Sequence, residues 1–140
     1  MKFSVRLRLL LALLCLLPGL LAGQRPDFSG TWKLAGEATL RIEHHDPELV
    51  VETLKKGKRA LQRYTTDGRE TTSTGIDGDE CHTLLLWRRG GQLFFDIQEH
   101  ERGKIVKSTE TWSLIDGGLK LKRERVTVKA PKGRTLIYTR

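Results

Sequence analysis

The chain has 140 residues, 25 Lys+Arg against 17 Asp+Glu, 38% apolar residues and two cysteines, a length that holds one domain and excludes a second core. Its pI near 9.8 would ordinarily direct attention to nucleic acid, but three basic residues and no acidic one fall in positions 1–23, leaving 22 basic and 17 acidic groups in residues 24–140. That net +5 is spread along the chain, which excludes a concentrated nucleic-acid footprint, and it is too small to keep the chain disordered.

Residues 1–23 read as a secretory signal peptide. Lys2, Arg6 and Arg8 precede an apolar run from Leu9 to Leu17, and Pro18-Gly19 stops it ahead of Leu20-Leu21-Ala22-Gly23. The stretch from Leu9 to Ala22 has 14 residues, short of the roughly 20 that span a bilayer. Cleavage near Gly23 and a secreted or periplasmic location are therefore expected over a retained anchor. Cys15 leaves with the leader, so Cys81 has no intramolecular disulfide partner and is either a buried inert thiol or an intermolecular pairing site.

The remainder, residues 24–140, is predicted to be all-β. Turn signals recur every 10 to 16 residues at Gly57, Asp67-Gly68, Asp77-Gly78, Gly90-Gly91, Arg102-Gly103, Asp116-Gly117-Gly118 and Lys132-Gly133, and Asp-Gly and Gly-Gly pairs supply the positive φ of tight hairpins. Between them the pattern alternates: Ala38, Leu40, Ile42 and His44 share one strand face, as do Cys81, Thr83, Leu85 and Trp87, and Leu93, Phe95 and Ile97. Val50 to Lys58 lacks an apolar helical stripe and is read as a strand. Leu84-Leu85-Leu86-Trp87 and Leu93-Phe94-Phe95 are apolar on both faces, which calls for cover on each side or an association surface. From Leu119 to Val128 the apolar phase switches near Glu124, and a β-bulge is expected there. Eight to ten such strands form an antiparallel up-and-down meander. Closure into a complete or nearly complete barrel removes its edges, with an open sheet or sandwich as the other arrangement.

Two segments carry a family resemblance. The mature chain opens with Asp27-Phe28-Ser29-Gly30-Thr31-Trp32-Lys33-Leu34 and closes with Leu136-Ile137-Tyr138-Thr139-Arg140. This pairing resembles the calycins, meaning the lipocalins, fatty-acid-binding proteins and avidins, in which a first-strand Gly-x-Trp packs across the barrel bottom beside a basic residue of the last strand. The resemblance implies a closure made by Gly30, Trp32 and Arg140, with Arg134 as substitute for the arginine. Over nearly the whole mature length the chain is similar to secreted bacterial proteins with a lipocalin-like domain, through Ile42-Glu43-His44-His45-Asp46-Pro47, Tyr64-Thr65-Thr66-Asp67-Gly68 and Glu110-Thr111-Trp112-Ser113-Leu114. It departs from fatty-acid-binding proteins in two ways: Ala35-Gly36 leads straight into the next strand, with no helical pair, and Tyr138-x-Arg140 reverses their carboxylate motif.

The residues themselves leave several chemistries open. Arg123 and Arg125 continue the line of Leu119 and Leu121; they face either the interior, where a guanidinium forks onto an anion, or solvent beyond the bulge. Adjacent His44 and His45 point to opposite faces, so at most His44 with His82 or His100 could meet inside, and no metal site is predicted. Cys81 and His82 are opposed across the sheet, the serines lie in no nucleophile elbow, and Asp77 and Asp79 flank a turn. Joined to the resemblance, this reading is a non-enzymatic protein, without cofactor or nucleic-acid partner, that binds a small apolar or amphipathic anionic molecule. Tyr64, Trp87, Phe95, Trp112 and Tyr138 line its site, and Arg123 and Arg125 meet the charged end. The alternatives are an envelope interaction module or homodimer using Leu84 to Leu86 and Phe94, and a metal-assisted hydrolase.

Overall fold

The computed structural model describes residues 25–140, so the expected leader lies outside the described residues. Ten strands follow one another: β1 (Gly30–Leu34), β2 (Ala38–His45), β3 (Glu48–Lys55), β4 (Lys58–Thr65), β5 (Thr71–Thr74), β6 (Glu80–Arg88), β7 (Gln92–Glu101), β8 (Lys104–Ile115), β9 (Lys120–Thr127) and β10 (Arg134–Thr139). The only helical element among the described residues is the 3-10 turn Asp116–Gly118. β1 joins β2 through three residues, without a helical pair.

Every ladder is antiparallel, and the sheet order β4-β3-β2-β1-β10-β9-β8-β7-β6-β5 is an up-and-down meander whose ends meet. Tight turns set the hairpin registers. At Arg102-Gly103 both central residues hold positive φ, 48° and 77°, the type I′ geometry whose twist matches that of the flanking strands. Two places in the wall are thin. β1 and β10 share one register pair, Lys33 with Thr139, and β4 lies beside the four-residue β5 without a ladder, joined by a hydrogen bond from Gln62 Nε2 to Ser73 Oγ at 3.3 Å. The barrel is therefore nearly closed, with its seam at β4 and β5.

Alternation determines what each strand contributes. The inner face buries Trp32, Leu40, Ile42, Leu49, Val51, Leu85, Leu93, Phe95, Trp112, Leu121 and Tyr138 in one core, and the residues between them meet solvent. β9 differs from expectation: it runs unbroken from Lys120 to Thr127 in register with both β8 and β10. No bulge forms at Glu124. Leu121, Arg123 and Arg125 all stay on the inner face, while Val126 and Val128 are 42% and 85% exposed, because opposite charges on neighbouring strands make the inner face tolerable for arginine. The double-sided apolar segments are only partly covered outside. Leu84 and Leu86 are 37% and 45% exposed, and Phe94 lies under the Arg88 guanidinium, 3.5 Å from its ring centroid.

Candidate functional site

Strand polarity gives the barrel two unlike ends. At one end the N-terminal segment and the β2–β3, β6–β7 and β8–β9 turns close over the core. Trp32 Nε1 donates to the Phe28 carbonyl at 3.0 Å, and the Arg140 guanidinium lies 4.2 Å from the Trp32 ring centroid, a cation–π contact. Arg140 Nε also donates to the Gly118 carbonyl at 3.0 Å. Gly30 makes room for this arrangement: its φ is +139°, and a Cβ there would stand 2.9 Å from an Arg140 nitrogen. Gly30, Trp32 and Arg140 thus meet at the closed end, whereas Arg134 lies at the other and cannot substitute.

Trp87 belongs to this plug as well, a correction to its expected place beside a ligand. Its ring packs 6.2 Å from Phe28 and 5.6 Å from His44, centroid to centroid, and its Nε1 donates to Asp46 Oδ1 at 2.8 Å. Thr66 Oγ1 donates to the same oxygen at 2.7 Å, and Arg25 to Oδ2 at 3.0 Å. Burial pushes the Asp46 carboxyl up, but these three donors outweigh it and hold the group below the usual carboxylate range. His44 is buried here, accepting from the Phe28 N–H at 3.2 Å.

Toward the opposite end the interior opens into a cavity of about 270 Å³. Tyr64, Phe95, Trp112, Arg123, Arg125 and Tyr138, six of the seven residues expected to line a ligand site, face it together. The aromatic wall is continuous: Tyr64 meets Phe95 edge-on at 5.4 Å, and Phe95 lies 4.6 Å from Trp112. Adjoining it is a charged network, in which Arg123 is the cross-strand partner of Trp112 and its guanidinium lies 4.9 Å from the Trp112 ring centroid. Arg123 Nε donates to Glu110 Oε1 at 2.6 Å, Trp112 Nε1 donates to the same oxygen at 2.7 Å, and Arg123 Nη1 donates to the Tyr138 hydroxyl at 3.1 Å. Arg125 donates through one Nη2 to Glu99 Oε1 at 2.9 Å and to Ser108 Oγ at 3.3 Å, while its buried Nε has no hydrogen-bond partner among the described residues.

These pairs determine the electrostatics. Burial pushes the Arg123 guanidinium down, but the Glu110 carboxylate outweighs it and keeps the arginine charged. Burial, then Glu110, pushes the Tyr64 phenol far above its ordinary range. The Cys81 thiol, which also lines the cavity, is raised by burial and then by Glu99, which disfavours its thiolate. Five acidic residues (Glu37, Asp77, Asp79, Glu99, Glu110) and four basic ones (Lys55, Arg123, Arg125, Arg134) line the space, so it carries no large field of one sign.

Glu110 was not among the expected site residues, although a signal for it exists. Ser108, Glu110 and Trp112 share one strand face, so an inward Trp112 implies an inward Glu110. His44 does not meet the other histidines. His82 and His100 lie together on the outer wall, ring centroids 4.8 Å apart, beside Glu80.

No protein-family model matches the chain, and no curated sequence matches it. Among solved structures, a protein described as a REP1-NXSQ fatty acid transporter superposes with a TM-score of 0.57 at 18% sequence identity, covering 80% of this chain and 94% of that one. At that identity the likeness is one of fold, an antiparallel barrel with an interior.

Proposed function

We propose that this is a non-enzymatic binding protein of calycin type, exported to the periplasm or medium, which holds a compact amphipathic molecule inside its barrel. The observation that carries this reading is the interior cavity itself, lined by Tyr64, Phe95 and Trp112 together with Arg123, Arg125 and their carboxylates. An aromatic lining with a few fixed polar groups is the usual construction of a small-molecule site. At about 270 Å³ the space equals about nine waters at liquid density, which favours a compact ligand. The head group of an anionic amphiphile is met by Arg125, whose pairing with Glu99 is the more exposed of the two ion pairs. The fatty acid transporter of similar fold supports an apolar portion in the ligand.

The interior chemistry favours binding over catalysis. Arg123 and Arg125 are each engaged by a carboxylate, and Tyr64 and Cys81 are pushed further from ionisation, an arrangement that orients a guest without supplying a group poised near neutrality. A second reading, a protein interaction surface, rests on the exposed Leu84 and Leu86 of β6.

Native mass spectrometry of protein purified gently from its own host tests the first reading. A non-covalent adduct that leaves on denaturation is expected, followed by saturable one-to-one binding of medium-chain carboxylates that alters Trp112 fluorescence. A bare protein that shows no saturable binding of any carboxylate or alcohol of the series would overturn it.

A further inference from the structure

The outer wall carries a second group of functional side chains, separate from the cavity. On β6, Glu80 and His82 are two residues apart and so share the outward face. On β7, His100 is the direct cross-strand partner of Glu80. The three residues offer ligand atoms that all lie within 4.8 Å of one another, and the two imidazole rings are inclined by 34°. A tetrahedral zinc ion with bonds of about 2.0–2.2 Å holds its donors roughly 3.3–3.6 Å apart, so the wider separations narrow while the 2.6 Å contact of His82 with Glu80 opens, adjustments that side-chain rotation supplies.

The surroundings of His82 point the same way. Its Nε2 lies 2.6 Å from Glu80 Oε1, a contact that a shared ion would replace. Its other nitrogen, Nδ1, faces Glu70 Oε2 at 3.7 Å and Thr72 Oγ1 at 3.5 Å. A metal-bound imidazole characteristically donates its second N–H to a carboxylate, which fixes its tautomer and orientation. Glu70 is placed for that part before β5, and Thr72 is paired with His82 in the β5–β6 ladder.

We propose that Glu80, His82 and His100 form a divalent-metal site for zinc on the outer wall of the barrel, with Glu70 as the carboxylate that orients His82. Two nitrogens and one carboxylate suit a borderline ion such as zinc and do not suit calcium or magnesium, which take oxygen ligands. The outward side stays open to water as the fourth ligand. The ion ties β6 to β7 and, through Glu70, to the segment leading into β5, the strand that borders the open seam.

Calorimetric titration of zinc into chelator-treated, dialysed protein tests this. One zinc per chain is expected, with affinity reduced at least tenfold by His82→Ala and by His100→Ala and about tenfold by Glu70→Gln, and unchanged by His45→Ala. Far-ultraviolet circular dichroism verifies that each variant is folded. In histidine ¹⁵N spectra, zinc is expected to move His82 and His100 together and to leave His44 and His45 in place. Absence of one-to-one binding by the wild-type protein, or undiminished binding by the folded His82→Ala/His100→Ala double variant, would overturn the proposal.

Discussion

Arg123 of β9 and Glu110 of β8 form an ion pair inside the barrel, the guanidinium Nε 2.6 Å from the carboxylate, with Glu110 only 4% exposed. A buried pair of this kind is costly to break and inexpensive to replace, since removing one partner strands the other charge.

Glu110→Leu is accordingly expected to destabilise the fold by about 3–5 kcal/mol, and Arg123→Met by a similar amount. The double variant Glu110→Leu/Arg123→Met should lose less than the sum, because neither charge is then left alone. Urea denaturation of the four proteins measures the coupling. Simple additivity would show that the pair contributes no coupling to stability.

Asp46 sets an acid limb. Its carboxyl is held below the ordinary value of 3.8, so the unfolded chain takes up a proton before the folded one. The stability this supplies is fully present above the unfolded value and disappears as pH falls through the lower folded value. Thermal melts between about pH 5 and pH 2 should show a shallower acid loss in Asp46→Asn than in wild type. Equal slopes would place the acid sensitivity in other carboxylates.

The closed end should respond in a fixed order. Trp32→Ala removes a fully buried indole and is expected to cost about 3–5 kcal/mol. Gly30→Val combines a positive φ with a close approach to Arg140 and is expected to cost roughly 1–3 kcal/mol. Arg140→Ala removes a cation–π contact, about 0.5–1 kcal/mol. Chemical denaturation midpoints give the ranking.

Ligand charge can be read from one comparison. Arg125→Leu should weaken binding of a medium-chain carboxylate about tenfold, a change of about 1.4 kcal/mol, and leave the matching alcohol unaffected, while Phe95→Ala weakens both. Equal losses for carboxylate and alcohol in Arg125→Leu would remove the anionic head group from the proposal.

If the outer face of β6 and β7 is an interaction surface, sedimentation velocity shows a mass that rises with concentration and is lost in Leu84→Asp or Phe94→Asp. A monomer throughout sinks the homodimer reading.

Much of the architecture was legible because its physical causes are local. The Gly-containing turns set the hairpins, and the period of two in segments such as Ala38 to His44 set which residues share a face. The same rule carried Tyr64, Phe95, Trp112 and Tyr138 to one interior. Trp87 did not follow them, since an inward side chain can face a cavity or fill a plug, and its height along the barrel depends on the register of every strand between. In β9, alternation alone left Arg123 and Arg125 free to face either way, and the apolar Val126 and Val128 favoured a bulge.

The amino-acid sequence by itself determined the strands, their turns, the shared faces and the Gly30-x-Trp32 start, because each depends on φ preferences and spacing within a few residues. The tertiary structure decided which face of β9 lies inside, through Glu110 on a strand 13 residues earlier. It also decided that β4 and β5 meet without a ladder and that His100 comes to stand beside His82. Those outcomes depend on register and closure, which only the assembled sheet defines, since charge compensation and side-chain convergence act across space between residues that no local pattern links.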